Sequence, residues 1–317
     1  MIMKHIRSML AVLAVIMLLT ASVGTFAFAA GTIDLDARGE LIIEYVYEGR
    51  PVSGAGFYLY RVADLDEDGA VTLCGPFADY PVDTKDLSQD AMRDMAATLD
   101  AFAKRDALNP DYVAVVDEHG FAVIEDLEVG LYLISAEKYI GEDGMYSSTA
   151  ALAPIPARQN PDSDWFYSVS VLPKCKFQPH GGMGVTTRKV IKIWDDKGNE
   201  ANRPDNLKVS LLCNGIIYDT VELNAENGWS YVWTDLWSGE DWMIVEHVPE
   251  GYSVLISVEG LITHIKNTNT TPPPPPTNPP DTPQTGVLWW PMPILLIVGV
   301  VFIALGVKLR KGDSYEA

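Results

Sequence analysis

The sequence predicts an all-β chain of two tandem antiparallel sandwiches, the first carrying a helical insertion. Short runs of β-branched and aromatic residues recur with turn residues between them. A single segment switches to helical spacing, and one loop-like stretch divides the chain into two regions of domain size.

At the start, Lys4 and Arg7 precede an apolar run from Met9 to Leu19, and Ala27-Phe28-Ala29-Ala30 follows it. This charged, apolar, small-residue order marks residues 1–30 as a secretory signal cleaved after Ala29 or Ala30. Its apolar core is short for a membrane span, which needs about 20 residues.

Residues 31–178 form the first sandwich region. Met92, Met95, Leu99 and Phe102 recur at helical spacing after Ser88, a candidate N-cap, which predicts a helix over 88–105 lying as a flap over one sheet. Asp64-Leu65-Asp66-Glu67-Asp68-Gly69 opens like a calcium loop, but its twelfth position is Gly75, so an acidic hairpin turn is expected and no metal site. The histidines show no zinc spacing.

Residues 179–184 read as a linker, and 185–270 as the second sandwich. There Val209-Ser210-Leu211-Leu212, Trp229 to Trp233 and Trp242-Met243-Ile244-Val245 are strand-like runs. Period-two geometry puts Trp229, Tyr231 and Trp233 on one face, expected to be core. The proline-rich stretch 271–281 is an extended spacer of about 3 Å per residue. Thr282-Pro283-Gln284-Thr285-Gly286 follows, then an apolar stretch over 287–307, long enough to span a bilayer, and a basic tail over 308–317 that should stay cytoplasmic.

Without the signal and everything after Gly286, the exported part carries about −23, which makes nucleic acid an improbable partner. Cys74, Cys175 and Cys213 are an odd set for a secreted chain. Most are expected as small buried hydrophobes, with a Cys74 to Cys175 bridge as an alternative.

The C-terminal order resembles the sorting signal of Gram-positive wall-anchored proteins, whose usual pentapeptide is Leu-Pro-x-Thr-Gly; Thr282 replaces the leucine. The resemblance implies that a sortase cysteine attacks the Thr285 carbonyl, releases Gly286 onward, and passes the acyl group to an amine such as that of a peptidoglycan cross-bridge. The precursor would span the membrane and the mature protein would be secreted and fixed to the cell wall.

The runs Ile191-Lys192-Ile193-Trp194-Asp195-Asp196, Leu223 to Trp233, Val245 to Tyr252 and Ile265-Lys266-Asn267-Thr268 resemble the consecutive markers of a Cna B-type domain. The resemblance implies an Ig-like sandwich in which a first-strand lysine, Lys192, and a last-strand asparagine, Asn267, form an isopeptide bond. Glu246, in a segment similar to the pilin E box, would be its proton shuttle. Lys189 and Lys266 lie nearby but outside the family position. Gly49 to Tyr60 and Asp126 to Leu133 also resemble B-type strands, yet Glu44 and Ala136 stand where a lysine and glutamate would be, so no equivalent bond is expected in the first region.

Trp165-Phe166-Tyr167-Ser168-Val169-Ser170-Val171-Leu172-Pro173-Lys174 is similar to the pilin motif Trp-x-x-x-Val-x-Val-Tyr-Pro-Lys, with Leu172 in the tyrosine position. The resemblance implies that Lys174, or alternatively Lys176, accepts the threonine of another pilin subunit, with Thr285 as donor. A structural pilus subunit is therefore expected, with a monomeric wall-anchored adhesin for a host or matrix ligand as the alternative. No cofactor is expected, and no enzyme beyond a single-turnover self-crosslink.

Overall fold

The computed structural model describes residues 31–160, 163–180 and 184–271. The signal, the rest of the spacer, the pentapeptide Thr282 to Gly286, the apolar stretch 287–307 and the basic tail lie outside the described residues. Among the described residues, no helix is long and apolar enough to cross a membrane.

The first module contains β1 (Gly39–Glu44), β2 (Val46–Tyr47), β3 (Arg50–Pro51), β4 (Gly56–Leu65), β5 (Val71–Leu73), α1 (Gln89–Arg105), β6 (Tyr112–Val115), β7 (Phe121–Leu127), β8 (Gly130–Ala136), β9 (Tyr139–Ile140), β10 (Gly144–Ser148), β11 (Ala151–Ile155), β12 (Ser168–Val171) and β13 (Cys175–Pro179). One sheet runs β12-β1-β7 and another β11-β8-β4-β5, with β6 also on β4. Alternate residues of each point inward, so Leu41, Ile43 and Val169 meet Phe57, Leu59, Tyr132 and Ile134 in a shared core. At the start of β1 only glycine fits: a Cβ on Gly39 would lie 2.5 Å from both Ile155 Cγ2 and the Tyr167 carbonyl oxygen.

The acidic segment is a hairpin turn joining β4 and β5, as its composition suggested. Asp66 Oδ1 accepts the backbone N–H groups of Asp68 at 3.0 Å and Ala70 at 2.7 Å, a local turn that uses the carboxylate as a backbone cap.

Ser88 caps α1, its Oγ accepting the Ala91 N–H at 3.4 Å, and Asp90 in the first turn with Lys104 and Arg105 in the last complement the helix dipole. The expected flap over one sheet is corrected by the packing. Met95, Ala96, Leu99 and Ala103 press on Tyr60, Val62, Leu131 and Leu133 of the first module, while Ala101 and Phe102 enter the core of the second. Apolar residues cover too much of the helix circumference for a single cover to bury them.

The second module contains β14 (Val185–Asp195), β15 (Asn206–Cys213), β16 (Ile216–Asn224), β17 (Ser230–Trp237), β18 (Trp242–Glu246), β19 (Tyr252–Glu259) and β20 (Ile262–Asn269). Its sheets run β17-β14-β20-β19 and β16-β15-β18. The expected antiparallel pattern is modified in both modules by one parallel pairing of the first strand: β1 with β12, the last strand but one of the first module, and β14 with β20, the last strand of the second. The edge of β19 is covered by the first module. Val254 N–H donates to the Pro81 carbonyl at 2.8 Å, and Ile256 N–H donates to Thr98 Oγ1 of α1 at 2.8 Å. Open edge groups of this kind otherwise invite pairing with another chain. The two sandwiches and the helix between them belong to one compact unit.

Two smaller expectations change. Trp233 is buried, but Tyr231 remains 39% exposed beside it, their rings 4.9 Å apart. Trp229 precedes β17 with φ of 55°, which breaks the strand alternation there. Cys74, Cys175 and Cys213 are unpaired and half-buried, so the Cys74 to Cys175 bridge does not form.

Candidate functional site

Lys192 projects from β14 into the core between the two sheets of the second module. Its strand register sets it beside Ile265, while Asn267 sits beside Trp194 two positions further along the parallel partner. Parallel neighbours in register face the same way, so Lys192 and Asn267 are diagonal neighbours on the inner face. Glu246 reaches the same space from the last position of β18 in the opposite sheet, where it pairs with Val209.

The Lys192 Nζ to Glu246 Oε2 distance is 3.7 Å, and both side chains are fully buried. Lys192 Nζ donates to the backbone carbonyls of Ile193 at 3.0 Å and Ile265 at 3.1 Å. Neither Glu246 oxygen and neither polar atom of the Asn267 side chain completes a hydrogen bond of good geometry. Buried polar groups are nearly always paired, so four such atoms in one place call for a chemical explanation.

Electrostatics follow from the burial. Loss of hydration disfavours the charged form of each partner: it pushes the Lys192 ammonium down to about 8, against the favourable pull of Glu246, and pushes the Glu246 carboxyl up. Each shift moves the pair away from an ion pair and toward a neutral amine beside a protonated acid.

An aromatic wall closes the space. The Lys192 Nζ lies 4.2 Å from the centre of the Trp194 ring, and Trp194 meets Trp229 and Tyr252 edge-on at 5.1 and 5.3 Å. Beyond it, buried Asp196 accepts the Tyr252 hydroxyl at 2.8 Å and is paired with Arg203. Sequence reasoning did not single out Asp196, Arg203 or Tyr252. The available signal was an acidic residue placed an even number of positions after Lys192, on the same inward face. Lys189 has no place in this core: it is only half-buried. Lys266 points outward to Asp195, 3.5 Å away.

The other candidate lysine stands elsewhere. Val169 and Val171 align with Leu41 and Ile43 of β1, which explains the alternate valines before the chain turns out at Pro173. Leu172 is 66% exposed, and Lys174 and Lys176 are both exposed. Lys174 borders an open groove of about 390 Å³ floored by Met92, Leu152 and Pro173. The tryptophan that begins the motif is structural: Trp165 Nε1 donates to the Gly31 carbonyl at 2.7 Å, and the Arg158 guanidinium lies 4.4 Å from its ring centre.

Residues 188–268 match the family described as Cna protein B-type domain. Over 88 residues, 27% of this chain, the sequence is 34% identical to a collagen adhesin of Staphylococcus aureus, and the match spans only 7% of that relative's length. Among solved structures, a single B repeat unit of the collagen-binding surface protein of Staphylococcus aureus aligns at 16% identity, covering 74% of this chain and all of that one, with a TM-score of 0.26. The full-length major pilin SpaD from Corynebacterium diphtheriae aligns at 16% identity over 75% of this chain and 65% of that one, with a TM-score of 0.31.

Proposed function

We propose that this chain is a structural cell-surface subunit, linked to the wall and to its own kind through sortase, whose second module carries a self-formed amide between Lys192 and Asn267. The observation that carries the amide is the buried Lys192 and Glu246 pair, facing an Asn267 side chain without hydrogen-bond partners.

The chemistry balances within these three side chains. A proton passes from the Lys192 ammonium to the Glu246 carboxylate, leaving a neutral amine and a neutral acid. The amine nitrogen attacks Asn267 Cγ as Glu246 donates its proton toward the amide. The Cγ–Nδ2 bond then breaks, the proton lost by Nζ returns through Glu246, and ammonia leaves. One C–N bond forms, one breaks, and Glu246 ends as the neutral acid, keeping the proton that the Lys192 ammonium gave up at the start. Holding the partners in contact makes the step unimolecular, with effective molarities of up to about 10⁵ to 10⁸ M in well-oriented cases. The intact mass of the chain should therefore be short by one ammonia, and Lys192→Ala, Glu246→Gln and Asn267→Ala should each restore it. A full mass in the parent chain would exclude the bond.

The assembly reading rests on the exposed Lys174 after β12 and on the Thr282 to Gly286 sequence. Sortase would cleave between Thr285 and Gly286 and pass Thr285 to Lys174 of another subunit, or to a cross-bridge amine at the wall. Denaturing immunoblots of wall extracts from the native host should show a high-molecular-weight ladder that Lys174→Ala abolishes. A single monomer-sized band in both would favour a wall-anchored adhesin, the reading that the similarity to a collagen adhesin also supports.

A further inference from the structure

We propose that Arg203 sets the reactivity of the Lys192 amine by neutralising Asp196, a second buried carboxylate beside it; the inference rests on the amide-forming reading above.

Asp196 follows β14 directly and is 5% exposed. Its Oδ1 accepts the Tyr252 hydroxyl at 2.8 Å, and its Oδ2 accepts from Arg203 Nε at 3.2 Å and also from Arg203 Nη2. The turn before it fixes Arg203, whose N–H donates to the Glu200 carbonyl at 3.1 Å. Its guanidinium carbon lies 5.4 Å from the centre of the Trp194 ring, the same ring that Lys192 Nζ approaches to 4.2 Å. The charged groups acting on Lys192 are thus Glu246 from β18, Asp196 from just beyond the end of its own strand and Arg203 from the following turn. Asn267 from β20 and Tyr252 from β19 complete the surroundings without charge.

The reactive arrangement, neutral amine with protonated acid, holds the same number of protons as the unreactive ion pair. Their ratio is decided by whatever charge lies nearby, and little water is present to screen it. An unpaired Asp196 would favour the ammonium and pull the pair back to its ionic form. Arg203 opposes that pull directly and through Asp196, whose burial alone would raise its pKa but whose bonds to Arg203 and Tyr252 hold it down. Losing Arg203 should lower the reactive fraction and move both limbs of a bell-shaped pH profile upward, because two coupled groups titrate as one system. A residue that merely held the turn in place would reduce the rate without moving the limbs.

The test follows ammonia loss by intact mass after a short cell-free synthesis pulse of the full chain, across a pH series. Arg203→Gln should be about tenfold slower near neutral pH, the effect of one pKa unit, with its optimum displaced to higher pH. Arg203→Lys should keep most of the rate, and Asp196→Asn combined with Arg203→Gln should restore the parent profile. The proposal is overturned if Arg203→Gln follows the parent profile, or if it is slow with unmoved limbs and no recovery in the double variant. A parent chain that never loses ammonia overturns the amide reading itself, and this inference with it.

Discussion

At the scale of single residues, Asn267→Ala converts the buried pair into a measurable stability term. Glu246 is held above its ordinary 4.5 by burial, so the folded chain keeps a proton that the unfolded chain gives up. Stability should fall as pH rises through that window. Lys192 is held at about 8 against an ordinary 10.5, so above about 8 the unfolded chain binds a proton that the folded chain does not. Stability should then climb until about 10.5. Urea titrations of Asn267→Ala over a pH series should trace a minimum between the two windows, and a flat profile would mean that neither group is displaced. Lys192, Glu246 and Asn267 could be named from the sequence only through the resemblance of their runs to Cna B-type domains, since spacing alone does not bring three separate strands together. Asp196 and Arg203 were not legible: a turn separates them, and only folding brings the guanidinium onto the carboxylate.

Among the elements, α1 shows how local pattern and tertiary context divide the information. Ser88 and the Met92, Met95, Leu99, Phe102 spacing gave the helix and its start within a residue. They said nothing of a second cover, because Thr98 and Ala101 read equally well as surface. The structure spends both on the other module, Thr98 as acceptor for the Ile256 N–H and Ala101 beside Phe102 in its core. Thr98→Val keeps the shape and strands a buried N–H, so it should cost about 1–3 kcal/mol in urea unfolding. Phe102→Ala should cost about 3–5 kcal/mol, as for other fully buried aromatic side chains. The parallel closures were illegible for a related reason: β14 and β20 are joined by most of a domain, and no local signal states their direction.

For the whole molecule, the shared helix predicts cooperativity. Beyond the cores, Lys104 of α1 lies 3.0 Å from Asp100 and 3.7 Å from Asp241 of the second module. Although burial opposes its charge, these two carboxylates hold the Lys104 pKa above its ordinary value. Calorimetry of residues 31–271 in the Asn267→Ala background should give one transition, where two separated ones would mean that the sandwiches melt independently. The linker expected over 179–184 left the relation of the two sandwiches open; the buried contacts that α1 makes with both cores join them in one compact unit.

The parallel pairing of β14 and β20 has a mechanical consequence. Pulling the chain between Val185 and Thr271 would load the ladder from Lys189 with Ile262 to Asp195 with Thr268 in shear, so its rungs resist together instead of peeling singly. With Lys192 joined to Asn267, tension would cross that bond and leave residues 193–266 slack. If a neighbour is attached at Lys174, residues 31–173 also lie off the covalent line of pull, and the first sandwich needs no crosslink of its own to survive being stretched.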